Sequence, residues 1–176
     1  VYLYDAQGKS YLDLISGIAV SNVGHRNPAV VKAIKDQVDA YMHLMVYGEY
    51  IQSPQVQLAE ALVKSTGSEH LNQVYFTNSG TEAVEGAMKL AKRYTGRTEF
   101  ISCFNAYHGA SQGALSIAGD ENFKNAFRPL LPGIRHIHHG CLANLSKISE
   151  KTAAVIIEIV AGEAGVDRKS TRLNSS

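Results

Sequence analysis

The sequence predicts an α/β protein whose mainly parallel sheet is covered by helices on both faces. From residue 73 onward, short apolar segments alternate with stretches of helical periodicity, which is the order that parallel strands and crossover helices produce. Of the 176 residues, 45% are hydrophobic and 19% are charged, so the chain has enough apolar surface to bury a core. Ligands of such sheets bind beyond the carboxyl ends of the strands. The loops at those ends are the first candidates for a functional site.

The region before residue 73 predicts a hairpin and two helices. Residues 1–15 read as two short strands joined by a turn. Asn27 and Pro28 supply an N-cap and a first-turn proline for one helix. Ser53 and Pro54 repeat this pattern for the next helix.

The alternating region predicts four strands and three helices. The strands are expected at residues 73–78, 99–104, 134–138 and 153–160, and the helices at 80–94, 112–117 and 142–148. We expect the first two strands to lie side by side. On the first helix, Glu85 and Lys89 should face solvent. The face expected to be buried consists of Ala83, Ala87, Leu90 and Tyr94.

Charge and cysteine content exclude several function classes. Seventeen Lys and Arg stand against sixteen Asp and Glu, a net charge of +1, which gives no electrostatic basis for binding nucleic acid or an anionic membrane. No apolar run approaches the roughly 18 residues that a membrane span requires. Cys103 and Cys141 are too few for a disulfide framework. The sequence therefore predicts a cytoplasmic protein without nucleic-acid or membrane partners.

The start of helix 80–94 has the composition of a phosphate cup. Ser79 and Glu82 match a capping box, and Gly80 lets a ligand approach the backbone closely. Free amides at the positive end of the helix, together with the Ser79 and Thr81 hydroxyls, suit an anion. The same residues also fit an ordinary capped helix. The chain contains no P-loop or dinucleotide fingerprint.

Two further signals follow later strands of the series. Tyr107 and His108 come just after a strand, where an aromatic ring can stack on a planar ligand; a core tyrosine with a surface histidine is the alternative. Glu158 interrupts an otherwise apolar strand, and a carboxylate there is costly unless it is partnered or used. Glu163 follows between small residues.

In this order, the signals resemble the class III aminotransferases, the pyridoxal-phosphate family that includes acetylornithine, ornithine and 4-aminobutyrate aminotransferases. The resemblance covers residues 1–166. It is carried by Leu3-Tyr4-Asp5, Gly17-Ile18-Ala19-Val20, Gly24-His25, Ser79-Gly80-Thr81-Glu82-Ala83, Tyr107-His108-Gly109, and Glu158 with Gly162-Glu163. It implies the fold-type I architecture and a homodimer with active sites at its interface. Residues 1–50 would then begin the small domain, and residues 51–166 would form the first half of the cofactor-binding large domain.

The resemblance also implies a cofactor site for pyridoxal 5'-phosphate. Ser79, Gly80 and Thr81 would hold the cofactor phosphate, and Thr81 could serve the partner subunit's site. Tyr107 would stack on the pyridine ring, with His108 beside it.

The substrates implied are an amino-acid or amine donor and a 2-oxo acid acceptor. Glu163 matches the family's glutamate that pairs with an arginine for the substrate carboxylate, and Glu158 is the second substrate-binding candidate. Two departures bear on this expectation. Ala110 replaces an arginine that is common in the acetylornithine and 4-aminobutyrate enzymes, and residues 158–163 lack the proline and glutamine that are usual there.

A lysine that forms a Schiff base with the cofactor and an acid at the pyridine nitrogen are both required for transamination. In this family both follow the Gly162-Glu163 motif, and we expect them after Val166. The chain begins with Val1, and residues 167–176 turn abruptly polar. The sequence therefore predicts an N-terminal fragment with a non-native tail, inactive by itself. Four lysines lie on the polar faces of predicted helices, where a Schiff-base residue is not expected: Lys32, Lys35, Lys89 and Lys92.

Three other interpretations remain open at this point. Residues 109–113 fit G-x-S-x-G, the nucleophile elbow of α/β-hydrolases, with Ser111 as the nucleophile; however, residues 105–108 separate the motif from its strand. Three histidines within residues 136–139, together with Cys141, are candidate metal ligands. The sequence has no second group of ligands at the spacing of a zinc site. A catalytically dead cofactor-binding or dimerisation module is the third.

Overall fold

The computed structural model describes residues 1–45 and 49–165. It divides into two compact units, residues 1–74 and the part from residue 75 onward. In the described part of the chain, no helix is both long and apolar enough to cross a membrane. The segment 167–176, which was expected to be non-native, lies outside the described residues.

The first unit contains the predicted hairpin and helices. Its elements are β1 (Tyr2–Tyr4), β2 (Ser10–Leu12), the short turn α1 (Ser16–Ala19), α2 (Pro28–Ala40) and α3 (Ser53–Thr66). β1 and β2 pair in antiparallel register. Asn27 caps α2, as predicted, by accepting the amides of Ala29 and Val30. At α3 the cap position is Gln52 rather than Ser53, so this helix begins one residue earlier than expected.

The second unit is built on a three-stranded parallel sheet, which confirms the predicted fold class. The strands are β3 (Glu99–Cys103), β4 (Ile134–Ile137) and β5 (Thr152–Val155), in the order β4-β3-β5. Successive residues of β3 are buried on opposite faces: Phe100 packs with Met88 and Ile117, whereas Ile101 packs with Ile137. The central strand is therefore buried on both faces, as crossover folds require.

Three helices lie where the sequence predicts them: α4 (Gly80–Thr95), α5 (Gln112–Ile117) and a 3₁₀ helix at Leu142–Lys147. Two short helices were not predicted: α6 (Glu121–Lys124) and a 3₁₀ helix at Asn125–Phe127. α4 and α5 contact each other, and both pack on the sheet. α4 ends at Gly96, whose φ of 68° is left-handed and whose amide donates to the Lys92 carbonyl.

The strand predicted at 73–78 is not formed. Residues 71–77 have no assigned secondary structure. β3 pairs with β4 on one side and with β5 on the other, so it has no free edge for a further strand. The prediction that 73–78 pairs with 99–104 is therefore wrong. An apolar pattern indicates strand propensity, but a strand also needs a partner with unpaired backbone groups.

The predicted register of α4 is also wrong. Met88 is 3% exposed and packs on Phe100, whereas Leu90 and Tyr94 are 69% and 88% exposed. Glu85 is half-buried and accepts hydrogen bonds from the start of α5. Both faces of this helix carry apolar side chains at helical spacing. The hydrophobic period therefore could not decide which face meets the sheet.

Candidate active site

The carboxyl ends of the three parallel strands surround a small cavity. It measures about 130 Å³ and is lined by Cys103 at the end of β3, His138 just after β4 and Glu158 just after β5. This is the edge at which open α/β sheets bind their ligands. Of the predicted site residues, Glu158 lines this cavity, whereas the residues predicted to bind the cofactor are not among its lining residues.

The start of α4 forms the predicted capping box only in part, because the Ser79 cap is present but the reciprocal bond to Glu82 comes from Asn78 rather than from Ser79. Ser79 Oγ accepts the Glu82 amide at 3.2 Å, and the Glu82 carboxylate accepts the Asn78 amide at 2.8 Å. A Cβ atom placed on Gly80 would meet nothing within 4 Å. No described hydrogen bond uses the Gly80 or Thr81 amide, so both can donate to an anion at the positive end of the helix.

The loop after β3 lies directly on this helix end. Thr81 Oγ1 and Ser111 Oγ are 2.6 Å apart. A Cβ atom on Gly109 would stand 2.6 Å from Thr81 Cβ and 2.9 Å from Thr81 Cα, so only glycine fits there. The structure thus holds the loop that carries Tyr107 and His108 against the residues of the phosphate cup.

Within this loop, Tyr107 and His108 have different surroundings. Tyr107 is 39% exposed, and its ring centroid lies 5.5 Å from that of Phe123. His108 is half-buried, with Nε2 3.0 Å from Ser102 Oγ on β3. Burial lowers the pKa of His108, and the nearby charge of Glu158 opposes this effect. His108 therefore anchors the loop to the sheet, while the tyrosine remains accessible.

Glu158 and Glu163 are separated by the structure. Glu158 borders the cavity that Cys103 also lines. Burial raises the pKa of the Cys103 thiol, and the charge of Glu158 raises it further. That thiol is therefore protonated near neutral pH. Glu163 is exposed in the turn that follows, and the cavity-lining residues on either side of it are Ala161 and Ala164. Their roles as substrate-binding residues remain predictions.

Two residues that were not predicted from the sequence hold the loop after β3 in place. Ser102 anchors His108, and Glu85 accepts a hydrogen bond from Ser111 at 2.6 Å. Glu85 lies four residues after Thr81, on the same side of α4. This spacing is the sequence signal that could have linked Glu85 to the phosphate cup. The described side-chain partners of Ser111 are Thr81 and Glu85, with no histidine among them. The arrangement gives no support to a hydrolase nucleophile.

The family model for class III aminotransferases matches residues 1–175. The chain belongs to the class III aminotransferase family. The acetylornithine aminotransferase of Methanopyrus kandleri is 44% identical over 165 residues, which is 93% of this chain and 42% of that protein. This member thus spans less than half the length of the curated relatives it matches.

Solved structures of transaminases share the fold. An adenosylmethionine-8-amino-7-oxononanoate aminotransferase from Methanocaldococcus jannaschii is 34% identical, with a TM-score of 0.87 over 97% of this chain and 42% of that one. An amine transaminase from an uncultivated Pseudomonas species, solved in its PLP-bound form, is 28% identical, with a TM-score of 0.87 over 94% and 44%. These matches confirm the predicted architecture of pyridoxal-phosphate transaminases.

Pyridoxal 5'-phosphate is the cofactor of this family, as predicted. The described residues fit its phosphate: the Gly80 and Thr81 amides donate to no described acceptor, and a Cβ atom on Gly80 would meet nothing within 4 Å. Among the described hydrogen bonds, Ser79 Oγ acts only as an acceptor, so its proton can be donated to a ligand. Hydroxyl and main-chain donors at a helix start are groups that bind phosphate.

Proposed function

We propose that the protein is a transaminase that moves an amino group from an amino acid or amine to a 2-oxo acid. In this proposal the chain supplies the phosphate end and one ring-stacking residue of the pyridoxal-phosphate site. The observation that carries it is the contact between Thr81 and the loop 107–111 at the carboxyl edge of a parallel sheet. Family membership supports the reaction class.

The residues of this chain would bind and orient the cofactor. The amides of Gly80 and Thr81 and the Ser79 hydroxyl would bind the phosphate, and Tyr107 would stack on the ring. Pyridoxal 5'-phosphate supplies an electron sink for bond changes at the amino-bearing carbon. His108, anchored on Ser102, keeps the loop in place.

Substrate selection would depend on the residues near Glu158 and Ala110. Ala110 is exposed beside the Tyr107–Gly109 segment and cannot pair with a carboxylate, since it has no charge. We therefore propose that the carboxylate of a donor is not bound at this position. Glu158 and Glu163 remain the candidate substrate-binding residues.

A cytoplasmic homodimer is also part of the proposal. The family resemblance implies active sites at a subunit interface, with Thr81 able to contribute to the partner's site. The chain alone is proposed to be inactive, because the Schiff-base lysine and the acid at the pyridine nitrogen are expected after Val166.

A donor panel tests the proposal on the protein expressed from its complete reading frame. Amino acids and amines are supplied with a 2-oxo acid, and formation of the new amino acid is measured with and without pyridoxal 5'-phosphate. Cofactor-dependent transfer is expected, with acetylornithine and 4-aminobutyrate among the poorer donors. Cofactor binding without transfer to any acceptor would favour the dead cofactor-binding module.

A further inference from the structure

A half-buried hydrogen-bond network joins the start of α4 to the loop before α5. The Ser111 amide donates to Thr81 Oγ1 at 3.1 Å, and the two hydroxyl oxygens lie 2.6 Å apart. Ser111 Oγ in turn donates to Glu85 Oε1 at 2.6 Å. The same Glu85 oxygen accepts the amides of Gly113 and Ala114 at 2.6 and 3.0 Å. Glu85 therefore caps α5 from a neighbouring helix, one turn along α4 from Thr81.

Hydrogen-bonding capacity fixes the direction of each bond in this network. Partial burial raises the pKa of Glu85, but hydrogen bonds from Ser111, Ala114 and Gly113 outweigh it and lower the pKa. The carboxylate is therefore charged near neutral pH and can only accept. Ser111 has one hydroxyl proton, which it donates to Glu85. The proton of Thr81 is consequently donated to Ser111.

Ser79 and Thr81 thus differ in what they can offer a ligand. The Thr81 hydroxyl has no proton left to donate, because its proton lies on the path to Glu85. Ser79 Oγ accepts the Glu82 amide, and its own proton goes to no acceptor among the described hydrogen bonds. Both residues belong to the cup, but only the serine hydroxyl can donate to a phosphate oxygen.

We propose that Glu85 is a positioning residue for the phosphate site, acting through Ser111 and Thr81. It holds the Tyr107 loop against the start of α4 and keeps the Thr81 hydroxyl inside the protein. The phosphate is then bound by main-chain amides and the Ser79 hydroxyl. This inference rests on the proposed function, because the ligand concerned is the phosphate of the cofactor.

The test compares pyridoxal 5'-phosphate with pyridoxal, which lacks the phosphate. Dissociation constants for both are measured by absorbance titration of the protein from its complete reading frame, and their ratio isolates the phosphate end. Glu85→Ala is expected to weaken binding of the phosphorylated form by about tenfold or more, because it leaves polar groups unpaired, and to affect pyridoxal less. Glu85→Gln keeps an acceptor oxygen and should restore most of the affinity. Glu60→Ala, which removes an exposed carboxylate from α3, is the matched control and should change neither constant.

A double-mutant cycle tests the route through Ser111. If Thr81 acts only through Ser111, then Thr81→Val, Ser111→Ala and the double variant weaken binding of the phosphorylated form by the same factor. Additive losses would mean that the Thr81 hydroxyl binds the phosphate itself, and they would overturn the proposal. If Glu85→Ala does not fold, this cycle and the Glu85→Gln variant test the positioning role instead.

The outcomes separate this inference from the proposed function. If the unaltered protein binds neither pyridoxal 5'-phosphate nor inorganic phosphate, the proposed function fails and takes the inference with it. If the unaltered protein binds the cofactor but Glu85→Ala leaves the ratio of the two constants unchanged, only the positioning role is overturned.

Discussion

Glycines around the loop between β3 and α5 are fixed by their neighbours. A Cβ atom on Gly113 would overlap the Glu85 carboxylate, and one on Gly119 would overlap the Cys103 carbonyl. Gly109 combines such an overlap with a φ of 134°, a conformation that L side chains rarely adopt. Gly109 and Gly113 let the loop lie against α4, and Gly119 lets the chain after α5 lie against the end of β3.

Replacing Gly109 tests this packing. Gly109→Ala should lower the free energy of unfolding by about 2 kcal/mol or more, because the new methyl meets Thr81 in a disfavoured backbone conformation. Gly80→Ala is the control, because it adds its methyl to open space at a helical position and should change stability by less than about 1 kcal/mol. Urea unfolding measures both variants. Equal losses would contradict the close approach of the loop to Thr81.

A second residue-scale prediction concerns acid stability. Hydrogen bonds from His25 and from the Ser16 and Ile15 amides lower the pKa of Asp13 from 3.8 to about 2, with Asp13 Oδ2 2.6 Å from His25 Nε2. A carboxylate whose pKa is depressed on folding stabilises the protein above its unfolded pKa. This stabilisation should therefore be lost as the pH falls from about 4 towards about 2.

Unfolding midpoints recorded between these pH values check the prediction. Asp13→Asn should flatten the pH dependence in this window, because the titrating group is gone. Asp36→Asn, which alters an exposed carboxylate paired with Lys32 on α2, should change it less. If both variants titrate like the unaltered protein, the Asp13–His25 pair does not stabilise the fold.

At the scale of elements, the ends of α4 could be predicted and its orientation could not. Ser79 with Glu82 marks the start and Gly96 the end, because these signals are local in sequence. The buried face depends on which side meets β5 and α5, and both sides carry apolar residues. The same holds for the site. The phosphate cup could be predicted from local sequence, but the hydrogen bond from Ser111 to Glu85 depends on the path of the loop between β3 and α5.

Alanine substitutions on the two faces of α4 test the observed register. Met88→Ala removes a side chain that is 3% exposed and should cost about 2–5 kcal/mol of unfolding free energy. Leu90→Ala shortens a side chain that is 69% exposed and should stay within about 0.5 kcal/mol. Denaturant unfolding of the two variants gives the comparison. A larger loss for Leu90→Ala would restore the register predicted from the sequence.

At the scale of the whole molecule, the distribution of lysines limits the chemistry. Lys124 is 3% exposed, but its Nζ donates to the Ala118 carbonyl at 2.9 Å and lies 3.4 Å from Glu121. The remaining lysines in the described ranges are exposed. A Schiff-base lysine needs an amine free of such partners and held at the cofactor.

We therefore predict that the 176-residue chain forms no specific covalent bond with the cofactor. After incubation with pyridoxal 5'-phosphate and gel filtration, borohydride reduction and peptide mapping should show only scattered, substoichiometric labelling of exposed lysines. The product of the complete reading frame, treated in parallel, should show one lysine labelled stoichiometrically. Stoichiometric labelling of Lys124, or of any single lysine within residues 1–165, would contradict the prediction.

The strand order β4-β3-β5 also has a consequence for biosynthesis. All three strands lie within residues 99–155, so the sheet can assemble as soon as that stretch has left the ribosomal tunnel, since domains generally fold as they are synthesised. The face of α4 that carries Leu90 and Tyr94 is then exposed to solvent on a folded sheet, where chaperones that recognise apolar surface can bind it. Ribosome-stalled chains long enough for β5 to have left the tunnel should accordingly yield a protease-resistant core containing β3 to β5. Stalling before β5 emerges should abolish that core.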